Sequence, residues 1–109
     1  MARPSLFELV EGWTDPIVVN LLKAGDTPSG TMAGMSVELV LMDNRGTALT
    51  TSGDVAITDS VNWQVTYSPD AGDLIEGAYR GRFKVTDGSG KVAYFPSAGW
   101  DAWLIRSVA

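Results

Sequence analysis

The chain has 109 residues, 45% of them hydrophobic and 19% charged, with a net charge of −5, no cysteine and no histidine. One hydrophobic core is the natural expectation at this length, and disulfides, thiolate nucleophiles and histidine-based catalysis or metal ligation are excluded. No apolar run approaches the ~20 residues of a membrane-spanning helix, and the acidic balance disfavours wrapping by a phosphate backbone, so neither a membrane nor a nucleic acid is an expected partner.

Leu6 to Val10 predicts a first strand. That segment is short and mixed, with Glu8 inside it, and is not the uninterrupted apolar core of a secretory signal, so a protein made and kept in a reducing cytosol, or released from one by lysis, is expected. Glu11 to Pro16, which includes Trp13, carries turn residues. Ile17 to Leu22 is almost wholly apolar and predicts a strand covered on both sides or one that changes neighbours midway. Pro16 before it and the Gly25-Asp26-Thr27-Pro28-Ser29-Gly30 stretch after it leave too few residues for a helix. Met35 to Met42 alternates, with Met35, Val37, Leu39 and Leu41 on one face and Ser36, Glu38, Val40 and Met42 on the other. Asp43 to Gly46 then turns the chain back through Thr47 to Thr50, and Val55 to Thr58 makes another brief strand. Val61 to Tyr67 has the cleanest alternation, which predicts Trp63 at the centre of the core. In the loop Ser68 to Glu76, Leu74 and Ile75 are expected to tuck beneath the sheet.

Gly77 to Thr86 predicts a long strand with Tyr79, Gly81, Phe83 and Val85 inward. Asp87-Gly88-Ser89-Gly90 then makes a tight turn into a return strand, Lys91 to Phe95. Pro96 to Trp100 breaks the pairing, and Asp101 to Ile105 predicts a last strand with Trp103 and Ile105 on one face. Roughly seven to nine short strands at turn spacings of about 8–12 residues, without a helix, predict one all-β domain over residues 1–109: an antiparallel immunoglobulin-like β-sandwich.

Three groups of residues invite a functional reading. Asp54 and Asp59, and Asp70, Asp73 and Glu76, have the chemistry to hold calcium or to serve as a glycosidase pair. No ordered Asp-x-Asp-x-Asp-Gly loop is present, however, and solvated turns account for them better. Arg80, Arg82 and Lys84 form a basic stripe on the outward face of the long strand, with Lys91 near its turn. That stripe suits a polar sheet face or an acidic partner. The absence of interleaved exposed aromatics argues against single-stranded nucleic acid. Trp13, Trp100 and Trp103 are read either as rim packing or as surface anchors for a protein or a sugar ring. Val40 and Met42, pointing away from the core, suggest that a partner covers one sheet face. There is no Gly-x-Ser-x-Gly elbow, phosphate loop or dinucleotide fingerprint, so no catalytic residue, cofactor or resident metal is expected and the protein is not read as an enzyme.

Taken together, Gly77-Ala78-Tyr79-Arg80-Gly81-Arg82-Phe83, Asp87-Gly88-Ser89-Gly90-Lys91, Tyr94-Phe95-Pro96-Ser97 and the closing Trp/Leu/Ile strand resemble small virion proteins of tailed phages. In particular they are similar to the N-terminal immunoglobulin-like domain of the baseplate upper protein family. The likeness extends upstream to Gly34–Leu41 and the Asp43–Gly46 turn. It implies a non-enzymatic virion component, made in the host cytoplasm and present in symmetric copies that bind other structural proteins. Members of that family continue into a helix and a receptor-binding platform, whereas here Ala109 follows the last strand, so tail or baseplate, neck and capsid positions all stay open. The alternative is a carbohydrate-binding module that stacks sugars on Trp13, Trp100 or Trp103.

Overall fold

The computed structural model describes residues 6–22, 30–96 and 99–107. The described residues form nine strands and no helix: β1 (Leu6–Val10), β2 (Ile17–Asn20), β3 (Ser36–Met42), β4 (Ala48–Leu49), β5 (Asp54–Asp59), β6 (Gln64–Ser68), β7 (Gly77–Thr86), β8 (Val92–Phe95) and β9 (Asp101–Arg106). They make an immunoglobulin-like β-sandwich of two sheets. The larger has six strands in the order β1-β9-β7-β3-β4 with β8 also on β7, and the smaller has three in the order β2-β6-β5.

β7 is the strand around which the larger sheet is laid. Along one edge it pairs antiparallel with the whole of β3, Ser36 opposite Thr86 through Met42 opposite Arg80. Its other edge is shared in turn by β8, facing Phe83 to Thr86, and β9, facing Gly77 to Gly81. The predicted hairpin is thus present, with the Asp87 carboxylate accepting from the Ser89 and Lys91 backbone N–H groups as the turn residues anticipate. One pairing departs from the antiparallel expectation: β1 runs parallel to β9, Phe7 beside Trp103.

The inward side chains of the two sheets meet in a core built from Phe7, Val19, Leu21, Met32, Leu41, Trp63, Val65, Tyr67, Leu74, Phe83, Val85, Trp103 and Ile105. Trp103 is its largest fully buried member. Phe7 stacks on its indole at 4.3 Å between centroids and Tyr67 meets it edge-on at 6.4 Å. The Nε1 edge of that indole lies against Gly81, where an added Cβ would stand 2.5 Å from Trp103 Nε1 and 2.7 Å from Leu41 Cδ2. The glycine in the middle of the longest strand is therefore a seat for the tryptophan.

Several expectations need correction. The strand expected from Val61 begins only at Gln64, because residues 61–63 form a turn, Val61 is exposed, and Trp63 has a left-handed φ of +56°. Trp63 is buried as expected, with its Nε1 donating to the Gly30 carbonyl oxygen, but the largest fully buried side chain is that of Trp103. Val18 is exposed, so β2 is covered on one face only, its alternate side chains lying on the open outer face of the smaller sheet. Of the pair expected to tuck in, Leu74 is buried and Ile75 exposed. The Gly25–Gly30 turn falls mostly outside the described residues.

Candidate functional site: the outer face of the larger sheet

The same alternation that sends Tyr79, Gly81, Phe83 and Val85 inward places Ala78, Arg80, Arg82, Lys84 and Thr86 on the outer face of the larger sheet. Register then brings their neighbours. Glu38 lies beside Lys84, Val40 beside Arg82 and Met42 beside Arg80 on β3. On the opposite edge, Tyr94 lies beside Lys84 and Ala102 beside Arg80, with Leu104 beside Ala78. Leu6, Glu8 and Val10 of β1 extend the same face past β9.

Arg82 occupies a break in this pattern. β8 ends with Phe95 facing Phe83, and β9 begins with Asp101 facing Gly81, so only Arg82 separates the two pairings on β7. Trp100, the residue before β9, lies over that one residue. The Arg82 guanidinium carbon lies 4.0 Å from the ring centroid of Tyr94 and 4.0 Å from that of Trp100. Arg80 approaches the same indole at 5.6 Å. A planar, weakly hydrated cation between two aromatic rings is held by dispersion and by the ring quadrupoles, typically about 0.5–1 kcal/mol per ring at an accessible site.

Stacking fixes a guanidinium without using its N–H donors. Arg82 Nε is buried with no acceptor. Among the described residues the ion pairs on this face belong to other cations: Lys84 Nζ to Glu38 Oε1 at 3.4 Å and Arg106 to Glu8 Oε2 at 3.1 Å. The nearest cross-strand neighbours of Arg80 and Arg82 are Met42, Ala102 and Val40, none of which accepts a hydrogen bond through a charged side chain. Two positioned guanidinium groups are thus set among apolar residues. Next to them the face is hollowed beside Ala78 by a depression of about 470 Å³ running along Leu104 and Arg106.

The candidate residues separate accordingly. Arg80, Arg82 and Trp100 come together in one cluster, and Lys84 stands at its margin in its pair with Glu38. Trp103 does not join them: it is 1% exposed in the core, so its reading as a surface anchor is overturned by the inward phase of β9. Trp13 lies apart, accessible in the turn after β1, with its Nε1 donating to the Asp15 carbonyl oxygen. Tyr94 was missed, and with it the interleaving of aromatics and arginines. The expectation of a stripe without such aromatics is corrected. Its partners come from a neighbouring strand and the segment beyond it, and the only signal in the sequence was the pairing of Tyr94 with Lys84 that the hairpin register implies.

The acidic loop serves a different purpose. Asp73 is buried, and its carboxylate accepts hydrogen bonds from the backbone N–H groups of Ser52, Gly53 and Asp70 at 2.8–3.1 Å. It accepts two more from the hydroxyls of Ser52 and Tyr67. Burial works to raise its pKa, but the backbone donors and the Tyr67 hydroxyl together outweigh burial and hold the carboxyl at about 2. Tyr67 is pushed up in turn, first by burial and then by the carboxylate it faces. Asp59 instead holds its own turn together, accepting from the Asn62 side-chain and backbone N–H groups. Among the described residues no group of three or more acidic side chains is arranged to hold a metal ion.

No family model matches the chain, and no curated protein does. Among solved structures, the crystal structure of CopC from Methylosinus trichosporium OB3b is similar over 94% of this chain and 86% of that one, with a TM-score of 0.49 and 15% identity. That is a likeness in the course of the chain and says nothing of what this protein binds.

Proposed function

We propose that this protein is a non-enzymatic structural component of a tailed-phage particle, an adaptor or decoration module that docks on other virion proteins through the outer face of its larger sheet. The particle is proposed from the likeness of the Gly77–Ser97 region and its neighbours to small virion proteins. The docking face is proposed from one observation: the cluster of Arg82, Tyr94 and Trp100 set among outward apolar residues. Leu6 and Val10 are exposed there, and Val40, Met42 and Leu104 are only half-covered. Aromatic and arginine anchors within an apolar surround are the usual composition of an interface centre.

The outer face of the smaller sheet sets the contrast. It presents Asn20, Gln64, Thr66, Ser68, Asp54 and Thr58, with Thr58 and Thr66 hydroxyls 3.0 Å apart, around one exposed Val18 and the small Ala56, and so has the mainly polar surface of a sheet that faces water. The carbohydrate reading has less to rest on. Trp103 is buried and Trp100 already carries guanidinium groups, which leaves Trp13 alone of the three to offer a ring to a sugar.

Leu104→Gln tests the docking face, since it removes apolar surface from the centre of that face without altering its charge. The expected result, read by mass spectrometry of purified particles separated into heads and tails, is loss of the protein from the particle at unchanged folding stability. Normal incorporation of the variant, or absence of the unaltered protein from both fractions, would overturn the proposal.

A further inference from the structure

We infer that the segment docked on this face is acidic, an extended or helical stretch of a partner virion protein that brings one or two Asp or Glu carboxylates between apolar side chains to Arg80 and Arg82. This rests on the docking reading and names the chemistry of its partner. Charge distribution carries it. The chain as a whole is at −5, yet among the described residues the strands of this outer face carry four cations, Arg80, Arg82, Lys84 and Arg106, against two carboxylates, Glu8 and Glu38, with Glu76 further off at the end of the face beside the depression. Those two carboxylates are taken by Lys84 and Arg106, so the surplus resides in the two arginines at the centre.

The arrangement is selective as well as positive. Tyr94 and Trp100 hold the Arg82 plane in place, so little rotamer entropy is left to lose when a carboxylate meets its terminal N–H groups. Arg80 and Arg82 are two residues apart on one strand, about 7 Å between backbone positions, which matches carboxylates on alternate residues of a partner strand, and their guanidinium carbons lie 5.6 and 4.0 Å from the same Trp100 ring. Apolar neighbours on both sides lower the local dielectric and strengthen the pairing once water is displaced. A nucleic acid fits these features poorly: two free guanidinium groups offer a polyphosphate little counterion release, the rest of the chain repels it, and Leu6, Val10, Val40 and Leu104 have nothing to gain from a phosphate backbone. The ring of Trp100 is already stacked, which removes the platform a neutral sugar would need.

The probe is an uncharged-ended hexaglutamate peptide titrated into the ¹⁵N-labelled protein, with the arginine Nε–H signals and tryptophan fluorescence as readouts. Saturable shifts of the Arg80 and Arg82 signals are expected, weakened by added salt and absent with hexalysine. Arg82→Gln is expected to weaken binding by about tenfold or more, whereas Arg106→Gln at the rim leaves it nearly unchanged. The inference is overturned if hexaglutamate moves neither arginine signal, or if inorganic phosphate or a polyuronate moves them as strongly as the peptide does. Particle incorporation separates this failure from failure of the docking face. If Leu104→Gln is lost from particles while Arg80→Gln/Arg82→Gln is retained, the face docks but its partner is not acidic. If both are retained, the docking reading itself falls.

Discussion

Asp73 and Arg82 are both planar ions removed in part from water, and the protein treats them in opposite ways. Asp73 meets five donors from three segments of its own chain, the turn before β5, β6 and the loop before β7, and in doing so ties that loop to the smaller sheet. Arg82 is gripped between two aromatic rings and finds no carboxylate among the described residues, with its Nε buried and unmatched. A buried ion whose hydrogen-bonding capacity is filled internally is part of the fold. Arg82 is positioned by stacking with no carboxylate of its own chain among the described residues, and for that reason the proposed docking face is centred on its terminal N–H groups.

The comparison breaks most visibly at Asp73. Asp73→Asn keeps the size of the side chain but replaces an oxygen by an amide donor that must face N–H groups, so unfolding by denaturant should show a loss of about 3 kcal/mol. The acid limb should change with it. Because the folded-state pKa of Asp73 lies below its ordinary 3.8, at about 2, its contribution is complete well above pH 3.8 and is lost progressively as the pH falls from there through 2. Stability measured between pH 5 and 2 should therefore fall in the parent protein and fall less steeply in Asp73→Asn. Equal slopes would remove Asp73 from the role given to it.

Gly81 lies between the two sites, with Trp103 packed on its inner side and Arg80 and Arg82 as its neighbours in the strand. Gly81→Ala places a methyl group against the Trp103 indole and Leu41, and a loss of about 1–3 kcal/mol in denaturant unfolding is expected. The near-ultraviolet signal of the tryptophans should change as well, since Trp103 has to give way. Tyr67→Phe is smaller again. It removes one of five donors from Asp73 and should cost about 1 kcal/mol by the same unfolding measurement. If Tyr67→Phe cost as much as Asp73→Asn, the backbone donors would not be carrying the carboxylate.

How far these features are legible in the sequence depends on how local their causes are. The β7–β8 hairpin, the inward phase of Tyr79, Phe83 and Val85, and the shared face of Trp103 and Ile105 all follow from period-two alternation and turn chemistry, and they are present as expected. The same rule put Trp63 inside, where it is buried, but began the strand three residues too early and sent Val61 inward, because alternation continues through Val61 to Tyr67 in the letters while the backbone at Trp63 turns left-handed. Asp73 reads as one more acid in a loop, since its donors lie as far as 21 residues upstream and only the fold brings them to it. The arginine stripe was legible on β7. Its aromatic plates were not, because Trp100 reaches Arg82 from beyond the segment where β8 gives way to β9.

Arg82→Glu separates folding from docking in one variant, through its unfolding free energy and its incorporation into particles. Stacking on two rings is offset in part by an unmatched Nε, so stability should stay within about 1 kcal/mol of the parent while incorporation is lost. A variant that unfolds, or one that enters particles normally, would contradict the assignment of Arg82 to a partner.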